Sequence, residues 1–161
     1  MEFRNILFLL LFGFVPVVQS QTTQQIGSTT VTIDTLTSDV SIPWEIQVEG
    51  QEYLWVTERG GLVSRIDLVT GQKSVVLDLT NEVHAVGESG LLGMTLHPDF
   101  PVIAEVFLVY TYGTEDSQGF FKERLAKYTF NGTDLGDPEI LIDSILAWAN
   151  HNGSRLHFLP D

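Results

Sequence analysis

The sequence predicts an all-β fold, and three observations support this prediction. Beyond the first twenty residues no stretch shows sustained 3.6-residue periodicity, so amphipathic helices are not expected. Short runs rich in β-branched and aromatic residues alternate instead with turns that contain Gly, Pro, Asn or Asp. A strand-to-turn junction also recurs along the chain. This repetition favours a β-propeller of four-stranded blades over a single β-sandwich, which the short strands would also suit.

The first twenty residues have the three parts of a signal peptide. Arg4 supplies a positive charge, residues 6–15 are almost entirely apolar, and Ser20 provides a small residue before Gln21. The apolar run is shorter than the about 20 residues that a membrane-spanning helix needs, although an uncleaved N-terminal anchor is the alternative. We therefore expect residues 1–20 to be cleaved and the protein to be secreted or periplasmic, with no membrane insertion after cleavage.

The remaining chain divides at residue 42. Residues 21–42 are rich in Thr, Gln and Ser and are expected to form a mobile N-terminal segment with one strand near Val31 and Ile33. Residues 43–161 contain the repeated strands, with predicted strands at residues 44–48, 53–58, 62–68, 74–79, 91–96, 106–112, 124–130 and 139–145, and a ninth starting at Arg155.

This strand count corresponds to two blades and the first strand of a third. The distance from Trp44 to Leu91 matches a blade of about 40–50 residues. A propeller has at least four blades, and an unpaired strand edge is a folding liability. We therefore expect residues 43–161 to be the incomplete N-terminal part of a propeller, and the chain to be a fragment.

Composition narrows the classes of function. The 161 residues are 43% hydrophobic, which excludes a disordered chain, and they include no Cys, which excludes disulfides and thiolate metal sites. Eight Lys and Arg against 21 Asp and Glu give a net charge of −13. Because such a chain repels polyanions, no nucleic-acid partner is expected.

Two of the four histidines lie in informative contexts. His97 precedes Pro98 and Asp99 at the end of a predicted strand, which indicates a structural corner. His151 lies in the polar loop ANHNGS before the predicted ninth strand, where a propeller would place it near the mouth of the central channel. An exposed imidazole there can act as a general base, but an ordinary loop histidine is an equally good interpretation. No histidine spacing indicates a metal site.

Four ordered motifs resemble the soluble quinoprotein glucose dehydrogenase family, also called the glucose/sorbosone or PQQ-dependent aldose sugar dehydrogenases. Residues 87–100 read GESGLLGMTLHPDF and resemble the family signature G-E/Q-x-G-L-L-G-φ-x-φ-H-P-D-F. The three other matching stretches are PW at residues 43–44 with VTERGG at 56–61, RLAKY at 124–128, and NHNGSRLHFLPD at 150–161.

The resemblance implies a six-bladed propeller that binds PQQ and Ca²⁺ and oxidises the anomeric C–OH of an aldose to a lactone, passing electrons to an acceptor. It implies that His151 is the catalytic base, taking the hydroxyl proton while hydride passes to the quinone. It also implies substrate contacts for Glu88, at a sugar-contacting position, and for Asn150, beside the base. The family's Lys and Arg residues that hold the quinone, and its Ca²⁺ ligands, fall after Asp161. No metal ligand is therefore assigned here, and no cofactor contact is implied for any residue except His151.

The resemblance also leaves a second function open. Members related to the propeller of hedgehog-interacting protein bind protein partners without catalysis. The alternative prediction is therefore a secreted propeller that acts as a protein- or carbohydrate-binding module. Retention of a histidine at position 151 favours the enzyme, although the 161-residue chain alone is expected to be inactive.

Overall fold

The computed structural model describes residues 22–159, which form ten antiparallel strands and contain no helix. The predicted signal peptide lies outside the described residues. The strands are β1 (Thr22–Ile26), β2 (Thr29–Ile33), β3 (Pro43–Glu49), β4 (Tyr53–Glu58), β5 (Leu62–Asp67), β6 (Lys73–Asp78), β7 (Leu91–Leu96), β8 (Glu105–Tyr112), β9 (Phe121–Phe130) and β10 (Leu135–Ala147). Among the described residues, 22–35 and 36–159 form two compact units.

The first unit is a hairpin of β1 and β2, whereas the sequence predicted a single strand in this segment. The two strands are joined by Gly27 and Ser28, and Gly27 has a φ of 61°, which favours the tight turns of two-residue hairpin loops. β1 was not predicted because its Thr and Gln residues show no hydrophobic alternation; in the structure all five residues of β1 are exposed.

The second unit contains two four-stranded antiparallel sheets, ordered β3-β4-β5-β6 and β7-β8-β9-β10. The two predicted groups of four strands are therefore confirmed. Positive φ values at Gly50 and Gly71 make the tight turns after β3 and β5. The last two strands are longer than predicted because Lys122 and Glu123 continue the regular pairing of β9 with β8, and β10 follows β9 through three register shifts.

The predicted ninth strand, starting at Arg155, is wrong. Residues 155–159 alternate between exposed and partly buried side chains, as the sequence pattern required, but they pair with none of the described strands. The partly buried side chains instead rest on the second sheet, where the ring of Phe158 lies 5.2 Å from that of Phe107. An alternating pattern predicts which side chains face a surface, whereas a strand also needs a hydrogen-bonded neighbour.

The main hydrophobic core lies between the two sheets and fixes them as one unit. Trp55 of β4 is fully buried, with its ring 5.0 Å from Phe130 of the second sheet and 5.5 Å from Phe100 in an edge-to-face arrangement. The two sheets also meet at their first strands, since β7 contacts β3 and, to a smaller extent, β4. Because β7, β8, β9 and β10 alternate in direction, the loop before β7 and the segment after β10 lie at the same end of the second sheet.

Candidate active site

The candidate site is made by two loops. The first, here called the Glu88 loop, consists of residues 83–90 and leads into β7. The second, here called the His151 loop, consists of residues 148–154 and follows β10. Two hydrogen bonds join them: the Glu88 N–H donates to the Ala149 carbonyl at 2.7 Å, and the His151 N–H donates to Glu88 Oε2 at 3.2 Å. The structure therefore brings together the predicted base and one predicted substrate contact.

His151 is exposed, and its backbone is in the left-handed region with a φ of 62°. Few residues other than glycine adopt this conformation, and such residues concentrate at functional sites, where the surroundings hold them in place. The surroundings here include the Glu88 carboxylate, which satisfies the His151 N–H. Asn150, the other predicted substrate contact, is exposed beside His151 in the same loop. The imidazole is thus accessible on a fixed backbone.

The start of the His151 loop is stabilised locally and by the Glu88 loop. The Asn152 side chain accepts from the Trp148 N–H at 3.2 Å and donates to the Trp148 carbonyl at 2.7 Å. Gly87, with a φ of 59°, lies so close to the Ala149 carbonyl oxygen that a Cβ atom there would collide with it. A residue with a side chain at position 87 would push the two loops apart.

The end of the His151 loop lies directly over Gly93 of β7. A Cβ atom at Gly93 would overlap the carbonyl oxygen of Ser154, so only glycine permits this approach. Ser154 is three residues from His151. Gly93, the third glycine of the motif at residues 87–100, therefore has a steric role that the sequence alone did not reveal.

We expect Gly93→Ala to lower the free energy of unfolding by about 1–3 kcal/mol, because the added methyl group must displace the Ser154 backbone. Chemical denaturation measures this loss. Gly136→Ala is the matched control, since Gly136 also lies in a strand and a Cβ atom there has no neighbour within 4 Å. Equal stability of the two variants would show that Ser154 moves away without cost.

The motif VTER at residues 56–59 supports the site from the first sheet, a role that the sequence analysis missed. The Thr57 hydroxyl accepts from the Glu45 N–H at 3.0 Å and donates to the Leu92 carbonyl at 2.7 Å. The Arg59 guanidinium donates to the Gly87 carbonyl, and the Arg59 carbonyl accepts from the Leu91 N–H at 2.9 Å. Thr57 and Arg59 thus hold β7 and the Glu88 loop. The sequence signal that could have indicated this role is that both residues lie in the VTERGG motif at residues 56–61.

Glu58 of the same motif is a buried structural carboxylate. Burial raises the pKa of Glu58, but hydrogen bonds from Lys73, from the Ser41 N–H and from the Ser64 hydroxyl outweigh that effect and hold it below its usual value. The Lys73 ammonium lies 2.7 Å from Glu58 Oε1. Glu58 therefore remains ionised and anchors the segment before β3.

His97 occupies the predicted corner after β7. Its Nδ1 accepts the Asp99 N–H at 3.1 Å, and its ring lies 5.5 Å from Phe158. The predicted corner is therefore present, and the imidazole of His97 accepts a backbone N–H within it. These contacts explain His97 without catalysis.

Two guanidinium groups lie near the loops. Arg59 donates to the Gly87 carbonyl, and Arg155 is paired with Glu45. Residues 22–159 contain no group of three or more acidic or histidine side chains placed to hold a metal ion. Apart from His151, no residue in this part of the chain is assigned a cofactor contact.

Comparison with known proteins identifies the family. The glucose/sorbosone dehydrogenase family model matches residues 40–161. The chain belongs to the glucose/sorbosone dehydrogenase family. The match covers both four-stranded sheets and the two loops of the candidate site, so the resemblance drawn from the four motifs is confirmed.

Two relatives illustrate how much of a longer protein this chain matches. It is 30% identical over 115 residues to quinoprotein glucose dehydrogenase B of Acinetobacter calcoaceticus, covering 67% of this chain and 24% of that protein. It is 27% identical over 128 residues to an uncharacterized protein of Synechocystis, covering 74% of this chain and 30% of that protein. The chain thus spans less than a third of the length of either relative.

Solved structures show the same fold. The PQQ-bound aldose sugar dehydrogenase of Streptomyces coelicolor superposes with a TM-score of 0.65 at 24% identity, over 87% of this chain and 39% of that one. A glucose dehydrogenase-type oxidoreductase of Thermus thermophilus gives a TM-score of 0.64 at 22% identity, over 84% and 36%. Residues 22–159 are therefore all-β, and the two four-stranded sheets are blades of a partial β-propeller. Residues 22–159 contain no helix with the length and hydrophobicity of a membrane span.

Proposed function

We propose that this chain is part of a secreted or periplasmic PQQ-dependent sugar dehydrogenase that oxidises the anomeric C–OH of an aldose to a lactone, with PQQ and Ca²⁺ as cofactors. The observation that carries the proposal is the presentation of His151: exposed, in a left-handed backbone conformation, and held by the Glu88 carboxylate. Family membership and the PQQ-bound structural relative support the reaction class.

In this proposal His151 is the general base. An accessible imidazole can accept the proton of a sugar hydroxyl when its free nitrogen comes within about 2.6–3.2 Å of the hydroxyl oxygen. The fixed loop backbone reduces the number of positions that the ring can take, which favours a productive geometry. The quinone would accept the hydride when bound, and no residue between 22 and 159 is assigned to hold it.

Glu88 and Asn150 are proposed substrate contacts. Oε2 of Glu88 accepts the His151 N–H, which leaves Oε1 to accept a sugar hydroxyl. An ionised carboxylate cannot donate a hydrogen bond, so Glu88 selects substrate groups that donate. Asn150 can both donate and accept, and its exposed position beside His151 supports a role in contacting the sugar.

The decisive experiment uses the whole protein that contains this chain. It is reconstituted with PQQ and Ca²⁺, and aldose-dependent reduction of a dye is measured alongside equilibrium binding of PQQ by fluorescence. The proposal expects PQQ binding and sugar-dependent turnover. A protein that neither binds PQQ nor reduces the dye would refute it and support the binding-module alternative.

A further inference from the structure

The end of the His151 loop carries an ion pair that joins it to the other sheet. Arg155 follows the loop directly, and its Nη1 lies 3.1 Å from Oε1 and 2.8 Å from Oε2 of Glu45 on β3. The two residues are 110 positions apart in the chain. The ion pair therefore connects the exit of the loop to the first strand of the other blade.

Glu45 is a rigid anchor for this contact. The residue is 8% exposed, and its backbone N–H donates to the Thr57 hydroxyl, which in turn donates to the Leu92 carbonyl of β7. Glu45 is consequently fixed relative to both sheets. A carboxylate buried to this degree needs a partner, and among the described residues its ion-pair partner is Arg155.

Arg155, unlike the buried Glu45, is largely exposed to solvent. Its side chain is 80% exposed, so it fills no part of the core. An exposed arginine loses rotamer freedom when it forms an ion pair and gains little stability in return, so the pair contributes modestly to the overall fold. The consequence of this contact is local: it fixes the backbone that immediately follows the loop.

This contact complements the other attachments of the loop. Glu88 holds the His151 N–H, and Ser154 lies against Gly93, whereas Arg155 sets the direction in which the chain leaves the site. We propose that Arg155 is a positioning residue, which acts through Glu45 to hold the His151 loop in its catalytic arrangement. This inference rests on the proposed function of His151.

The first test measures loop order without activity. Amide hydrogen exchange of residues 149–154 is followed by mass spectrometry in the whole protein. We expect Arg155→Ala to accelerate exchange in this segment by about threefold, equivalent to about 0.65 kcal/mol, and Arg155→Lys to accelerate it less because a charge partner remains. Unchanged exchange in Arg155→Ala would overturn the proposal.

Two further variants separate loop positioning from general destabilisation. Arg65→Ala breaks the ion pair between Arg65 of β5 and Glu49 of β3, the strand that also carries Glu45, and should leave exchange of residues 149–154 at the wild-type rate. The double variant Glu45→Gln/Arg155→Ala leaves no lone buried carboxylate and should still accelerate exchange. Wild-type exchange in the double variant would show that the unpaired Glu45 carboxylate, rather than the loss of Arg155, caused the acceleration. Equal acceleration in Arg65→Ala would show general destabilisation, and either result would overturn the proposal.

Kinetics of the reconstituted whole protein give the second readout. If Arg155 positions the base, Arg155→Ala should lower kcat by about tenfold with KM changed by less than about threefold, and Arg155→Lys should recover part of the loss. A pure rise in KM would overturn the positioning role. If the wild-type protein shows no turnover, the proposed function fails, while the exchange experiment still decides whether Arg155 holds the loop.

Discussion

Replacing His151 by alanine is expected to lower aldose-dependent turnover of the whole protein by about 10²–10⁴-fold, because positioned proton transfer typically contributes that much. The free energy of unfolding should change by less than about 0.5 kcal/mol, since the side chain is exposed. Dye reduction after reconstitution with PQQ and Ca²⁺ measures the first quantity, and chemical denaturation measures the second.

Two additional variants make this result specific to the base. His151→Asn retains a residue that tolerates the left-handed conformation but lacks the imidazole, so its turnover should fall as far as that of His151→Ala. His157→Ala removes an exposed histidine six positions further along the same segment and should keep wild-type turnover. Full activity in His151→Asn, or equal losses at both histidines, would contradict the assignment of His151 as the base.

The parts of the fold that the sequence predicted are those determined by local patterns. The eight strands of the two sheets follow from short alternating runs between turn residues, and Gly50 and Gly71 mark two of these turns by their positive φ values. Arg155 shows the limit of this reasoning. An alternating pattern starts at Arg155, yet pairing depends on whether another strand lies alongside, which a local pattern does not reveal.

The candidate site was predictable where it coincided with motifs. His151 and Glu88 were found by their positions in two motifs, and the structure brings them into direct contact. The contact between Arg155 and Glu45 was not predicted because it joins residues 110 positions apart. The requirement for Gly93 was likewise hidden, since it depends on where the Ser154 backbone passes in three dimensions.

Glu123 shows how burial can contradict a sequence pattern. It lies in the charged run Lys122-Glu123-Arg124 on β9, which would ordinarily indicate an exposed strand segment. In the structure it is 4% exposed, next to Thr111 on β8 and Ile145 on β10, and its Oε1 has no hydrogen-bond partner among the described residues. Desolvation by burial raises the pKa of Glu123 to about 7.

This raised pKa makes stability depend on pH in a defined direction. Below about pH 4.5 the carboxyl is protonated in both the folded and the unfolded protein and costs nothing. Between about pH 4.5 and 7 the unfolded chain loses this proton while the folded protein keeps it, so the free energy of unfolding falls as pH rises. Above about pH 7 the loss is complete and amounts to about 3 kcal/mol, since each pKa unit corresponds to about 1.4 kcal/mol.

Glu123→Gln is therefore expected to stabilise the protein relative to wild type by an amount that grows by about 3 kcal/mol between pH 4.5 and pH 8, because glutamine has the same shape and does not ionise. Chemical denaturation of both proteins at the two pH values measures this difference. Comparing the variant with wild type cancels the contributions of the other carboxylates to the pH dependence. One of these is Asp67, where hydrogen bonds from Thr70 lower the pKa. Glu52→Gln, at an exposed position, should differ from wild type by less than about 0.5 kcal/mol at both pH values. A stability difference between Glu123→Gln and wild type that stays constant with pH would mean that Glu123 is already ionised in the folded protein near its ordinary pKa, with a partner for Oε1.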